Sequence, residues 1–274
     1  MRFLLALSFL ALAAVTPLAC GGSDQLESLA PSEAVAEAAT RTAKADTYRA
    51  SFRGTLGVSG QTLRLTGDGE FDAARKRGHV NMAYAFGGQR LELEMVVALP
   101  VIYMRLPAEL GAELPSGKSW ISIDLQRRGK ELGFDFQQLV QASQSDPSQG
   151  LQYLRGASDV RTVGHEEVRG VDTTHYRATI EFRRLAERFP ELKESVERVI
   201  ELTKVESVPS EVWVDDEGLV RRMGFAYEDM QFAPGQRGNM SMTMDLFDFG
   251  ADVDVEVPPA DEVIDVQELL GPGG

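Results

Sequence analysis

Three histidines, one cysteine and a few close-set carboxylates are the residues of this 274-residue chain that could do chemistry. His79, His165 and His175 each sit in a strand-like run, and none belongs to an HExxH pair or lies near a second Cys or His ligand, so no metal site and no cofactor are expected. Glu92 and Glu94 have the separation of an acid/base pair, but they alternate with Leu91, Leu93 and Met95, which places them on the solvated face of a strand. Asp215-Asp216-Glu217-Gly218 lacks the spaced oxygen ligands of a calcium loop and fits a hairpin turn. There is no GxSxG elbow, Walker loop or GxGxxG; Gly67-Asp68-Gly69 is followed by Glu70-Phe71-Asp72, without a third glycine. Asn239-Met240-Ser241 matches a glycosylation sequon inside a strand-like run. No residue is therefore assigned a catalytic role, and the chain is read as a non-enzyme.

Cys20 is the remaining reactive group, and its context is informative. Arg2, an apolar run from Phe3 to Val15, Pro17 and small residues up to the cysteine follow the order of a secretory signal, residues 1–20. The run is shorter than the roughly 20 apolar residues that span a bilayer. Leu18-Ala19-Cys20-Gly21 resembles a lipobox, where signal peptidase II cleaves before a diacylglyceryl cysteine, although Pro17 stands where that pattern has Leu. Lipidation of Cys20 with two or three chains gives stable anchoring, since one chain binds only marginally. The expected location is the outer face of the cell membrane.

The formal net charge is −14, from 28 basic and 42 acidic residues. Such a surface repels phosphates, so nucleic acid is not an expected partner. A single cysteine precludes an internal disulfide, and the fold must rest on its core, for which 43% hydrophobic residues suffice.

Residues 21–30 read as a flexible tether, being small, polar and aperiodic. Pro31 to Ala45, Ala-rich with Pro near its start, reads as a helix. From Asp46 to about Leu125 a meander of strands is punctuated by glycines, with Val80, Met82, Tyr84 and Phe86 on one face and Leu91, Leu93, Met95 and Val97 on one face of the next strand. Two short helices are expected near Phe134–Val140 and Asp146–Leu154. A hairpin about Gly170 follows, then an apolar stripe of Leu185, Phe189, Leu192, Val196, Val199 and Ile200 that Pro190 kinks or divides. Three further strands and an acidic tail with Pro258-Pro259 end the chain. This order belongs to an α+β fold with one large antiparallel sheet covered on one face by helices.

Several of these stretches together resemble the LppX/LprG type of actinobacterial envelope lipoproteins, whose fold is LolA-like. They are Thr47-Tyr48-Arg49, Val101-Ile102-Tyr103-Met104, Lys118-Ser119-Trp120-Ile121, Asp146-Pro147 with Leu151-Gln152-Tyr153-Leu154, Gly170 to Tyr176, Val212-Trp213-Val214-Asp215 with Gly218 to Arg222, and Asp245 to Gly250. The resemblance implies one domain over residues 31–270, a curved half-barrel with helices over its concave face, and a cavity that holds acyl chains of a lipid or glycolipid to be carried or presented.

Val80, Met82, Leu91, Leu93, Met95, Ile102, Met104, Met240, Met242, Met244 and Leu246 are the candidate cavity residues, because thioethers tolerate irregular apolar ligands. The same alternation also describes an ordinary filled core. The alternative function is then a non-enzymatic structural or sensory module that contacts another envelope protein, a partner its acidic face could meet.

Overall fold

Period-two alternation dominates the sequence and the fold. The computed structural model describes residues 29–58, 60–105, 107, 114–115, 117–131, 157–188, 190, 193–233 and 236–270. Cys20 with the signal segment, residues 21–28 of the tether, and the two helices expected between 134 and 154 lie outside the described residues.

Strands β1 (Thr47–Val58), β2 (Gln61–Asp72), β3 (Arg77–Phe86), β4 (Gln89–Ala98), β5 (Val101–Arg105) and β6 (Trp120–Asp124) form the expected meander. β7 (Ala157–Val168) and β8 (Val171–Glu181) form the hairpin, and β9 (Ser207–Asp215), β10 (Val220–Ala233) and β11 (Gln236–Phe247) a second meander. One sheet contains them all together with a short C-terminal strand, β12 (Val263–Asp265), in the order β12-β6-β5-β4-β3-β2-β1-β11-β10-β9-β8-β7. The two meanders join where β1 pairs antiparallel with β11, Phe52 opposite Met244.

Residues opposite one another in an antiparallel ladder point to the same side. The registers therefore give the sheet one apolar face and one polar face. At Gly67, on the apolar face, an added Cβ would lie 2.6 Å from the Asn81 carbonyl oxygen, so β2 and β3 approach there more closely than a side chain would allow. The Phe71 ring occupies the space over Gly78 in the same way.

Helix α1 (Pro31–Thr42) lies on the apolar face, with Pro31 in its first turn and the Glu33 carboxylate accepting the Ala30 N–H at 3.3 Å. Ala34, Val35, Ala38 and Ala39 are buried against Ala50, Tyr176, Val212, Val214, Val220 and Leu246. Alanines at these positions let the helix sit close to the strands. Thr42 fastens its end: its hydroxyl donates to Ala38 O at 2.7 Å and accepts the Val220 N–H at 2.8 Å.

After β6, Asp124 accepts the N–H groups of Gln126 and Arg127 and so starts a short helix, α2 (Leu125–Glu131), which strand-like alternation did not foreshadow. The stripe around Pro190 is divided into α3 (Phe182–Arg188) and α4 (Lys193–Thr203), with Leu185 and Val196 buried.

The C-terminal segment is not a loose acidic tail. Val253 and Val255 are buried against Val96 and Trp120 on the otherwise polar face. A 3-10 turn (Ala260–Glu262) then leads into β12 (Val263–Asp265), which pairs parallel with β6, and α5 (Val266–Leu270). The alternation of Asp252, Asp254 and Glu256 with valines was the available signal for this segment.

Candidate functional site

All eleven candidate residues share the apolar face. Met244 lies opposite Phe52, Met242 opposite Gly54 and Met240 opposite Leu56 across β1–β11. Val80 pairs with Met95 and Met82 with Leu93, Tyr84 with Leu91, and Met95 in turn with Met104 and Val97 with Ile102. On the other flank Met244, Met242 and Met240 face Met223, Phe225 and Tyr227 of β10. The apolar side thus runs without interruption from β5 to β9.

Its parts are not equivalent. Leu246 is packed beneath α1, and Val80 is buried. Met82, Leu93, Met95, Ile102, Met104, Met240, Met242 and Met244 are half-buried, and Leu91 is 39% exposed. Between the sheet and α3 lies a cavity of about 550 Å³, walled by Phe52, Ile180, Phe182, Leu185, Val208, Met223, Phe225, Tyr227, Met242 and Met244. Small-molecule sites commonly occupy ~300–1,000 Å³. Toward the hairpin tips the same face continues into an open trough of about 1240 Å³ along Leu56, Val58, Leu63, Tyr84, Phe86 and Leu91, edged by Gln61, Gln89, Arg90 and Gln236. Phe86, at its rim, is 45% exposed.

The cavity wall from β8 and β10, including Phe225 and Tyr227, and the α3 residues Phe182 and Leu185 were missed as site residues. Phe225 and Tyr227 alternate along β10 as the methionines do along β11, and that was their signal. Burial pushes the Tyr227 phenol up to about 12, which keeps its proton in place at any ordinary pH. Tyr48, stacked on Phe71 at 5.1 Å, is raised for the same reason.

The opposite face holds the charges. Glu92 is solvent-facing, while Glu94 lies 3.0 Å from His79 Nε2 and 3.2 Å from Arg105. His175 stacks on Trp213 with ring centres 4.2 Å apart; its Nδ1 lies 3.2 Å from Glu166, which also accepts the Trp213 Nε1–H. His175 Nε2 is buried without a hydrogen-bond partner among the described residues. Asp215 closes its turn by accepting the Leu219 N–H at 2.8 Å and pairs with Arg221. Among the described residues no three His, Cys, Asp or Glu side chains converge as a metal site, and no helix is long and apolar enough to cross a membrane.

No family model matches the sequence. It is 30% identical over 169 residues to an uncharacterised 31.2 kDa protein of Streptomyces griseus, and 28% identical over 179 residues to a Streptomyces coelicolor protein named as a lipoprotein. These alignments cover 58% and 64% of this chain and 52% of each relative, so the chain spans about half the length of the curated relatives it matches. Among solved structures it resembles the Mycobacterium tuberculosis lipoprotein LppX with a TM-score of 0.50 at 14% identity, covering 82% of this chain and 98% of that one. LprF of Mycobacterium bovis follows at a TM-score of 0.46 and 12% identity, covering 83% and 96%. With its curved antiparallel sheet and with α1 and α3 on the apolar face, the chain has the fold of the LppX-type lipoproteins.

Proposed function

We propose that this chain is an envelope lipoprotein, anchored through Cys20, whose domain over residues 31–270 binds a lipid or acylated glycolipid on its apolar face and carries or presents it. The observation that carries this reading is the cavity of about 550 Å³ with an almost wholly apolar wall, on the same face of the sheet as the open trough. What sets this hollow apart from an ordinary surface groove is its nearly uniform apolar wall, since exposed apolar surface of this kind marks a binding site. Affinity comes from the hydrophobic effect, about 0.8 kcal/mol for each methylene taken out of water. The trough at the hairpin tips is the route of entry, since its wall already faces solvent. The polar face, with its ion pairs, is left for an envelope partner.

The full chain, expressed in an actinobacterial host and extracted in mild detergent, tests the reading. Organic extraction removes non-covalent lipids and spares the anchor. An acylated ligand near one per protein is expected by native and lipid mass spectrometry. Protein that carries none, and takes up no added lipid, overturns the reading.

A further inference from the structure

Three hairpins of adjacent strands, β1–β2, β3–β4 and β10–β11, turn at the same end of the sheet. Residues 54–67, 82–91 and 230–244, which form these ends, contain no Asp or Glu, although the chain has 42 in 274 residues. Each end contributes one arginine: Arg64, Arg90 or Arg237. Arg64 and Arg90 lie in one cross-strand row, on either side of Ala85. Beside that row the apolar side chains of Phe86 and Leu91 are exposed. Glu92 and Asp229, which bound two of the acid-free stretches, are exposed and pair with Arg90 and Arg237. Such surface pairs are weak, so both arginines are available to another anion. At the other end of these strands the signs are mixed, Asp72 pairing with Arg75 and Asp248 with Arg49.

Exposed apolar tips flanked by arginines, on a chain of net charge −14, suit a partner that is anionic at its surface and apolar beneath. A bilayer with anionic headgroups has that construction. Building on the anchored-lipoprotein reading, we infer that the three hairpin tips are a docking surface for an anionic lipid bilayer. Phe86 and Leu91 enter the headgroup layer, and Arg64, Arg90 and Arg237 meet its phosphates, which guanidinium groups take in bidentate fashion. Apolar side chains with basic neighbours are the composition of segments that lie in a membrane interface. Each arginine close to an anionic surface favours contact about fivefold. The rest of this acidic chain is repelled by the same surface, so the charges also set the orientation, tips toward the lipid.

Trp120 and Trp213 are buried, so a tryptophan placed at a tip reports separately from them. The full chain, expressed and processed in an actinobacterial host, is reconstituted with vesicles of brominated phosphatidylcholine, alone or mixed with brominated phosphatidylglycerol. In Phe86→Trp the added fluorescence should be quenched on the phosphatidylglycerol vesicles. It should be quenched far less on phosphatidylcholine alone, or in about 1 M salt, where the screening length is about 3 Å. Leu99→Trp is the control, at an exposed position just past the opposite end of β4, and should stay unquenched. Adding Arg64→Gln, Arg90→Gln and Arg237→Gln to Phe86→Trp should weaken docking about a hundredfold and leave only the quenching seen on phosphatidylcholine. Should that variant not fold, the two vesicle types compared in Phe86→Trp decide. Equal quenching at the two positions, equal quenching on the two vesicle types, or none at the tip overturns the docking surface. Quenching of the tip that disappears when Met242→Arg is added also overturns it, because the quencher is then lipid taken into the cavity. A mass without acyl groups on Cys20 overturns the anchor instead, and tip quenching by the added vesicles still decides the docking.

Discussion

Asp245 and Arg222 face each other across β10 and β11, with the carboxylate accepting Arg222 Nε at 2.6 Å and Nη2 at 2.9 Å. The side chain of Asp245 is 3% exposed, and Arg53 approaches it at 3.4 Å. Burial alone would raise this carboxyl, but the Arg222 hydrogen bond and the charges of Arg222, Arg53 and Arg169 outweigh it and hold the pKa below its ordinary value. A carboxyl depressed in the folded state stabilises the fold above its unfolded pKa of ~3.9. That contribution is lost as pH falls through the folded value. Asp245→Asn, which leaves Arg222 unpaired, is expected to cost about 3 kcal/mol at neutral pH. Urea unfolding should show the gap to wild type narrowing below about pH 4.

Met242→Arg puts a charge into the cavity wall, and Leu93→Arg puts one on the half-buried apolar face. A charge in apolar surroundings is strongly unfavourable. Both variants should lose co-purifying lipid while intact mass shows Cys20 processed as in wild type. A folded variant with undiminished lipid counts against the cavity as the binding site.

Gly67→Ala tests the close approach of β2 and β3. The added methyl would meet the Asn81 carbonyl oxygen at 2.6 Å, and a backbone atom there cannot rotate away as a side chain could. A loss of about 1–3 kcal/mol is expected, the usual cost of overpacking, measured by thermal or denaturant unfolding. Gly87→Ala is a weaker comparison, because its methyl would meet nothing and only the positive φ of 57° resists it.

Val255→Asp tests the C-terminal strap. Val255 is buried on Trp120 and Val96, so an aspartate there should cost about 3 kcal/mol and lower the melting temperature. Val257→Asp, two residues on and 42% exposed, should be close to neutral. Equal effects at the two sites would mean that the strap contributes nothing to stability.

Cys20→Ser tests the anchor. Wild-type protein from an actinobacterial membrane should have a mass lacking residues 1–19 and carrying acyl groups, and the serine variant should show neither change. Acylated mass in the variant would exclude Cys20 as the lipid attachment site.

Much of the sheet was legible because alternation is a local property. Val80, Met82 and Tyr84 had to share a side of β3, and Leu91, Leu93 and Met95 a side of β4, whatever lay beyond them. Short glycine turns then made neighbours of consecutive strands. Pro190 marked a break between helices for an equally local reason, its missing N–H. Asp252 to Glu256 looked like a tail because acidic residues outnumber valines there, and only the exposed side of Val96 and Trp120 makes those valines core.

Tertiary structure alone decided what that sheet encloses. Phe52 and Met244 are far apart in the chain, and nothing local to either specifies that β1 lies beside β11. Nor could alternation distinguish Leu246, sealed under the alanines of α1, from Met242, which borders a cavity on the same strand. The sequence by itself determined which side of each strand is apolar. Whether that side is filled or hollow depends on how distant helices and strands close over it, because packing is a property of all the surrounding elements at once.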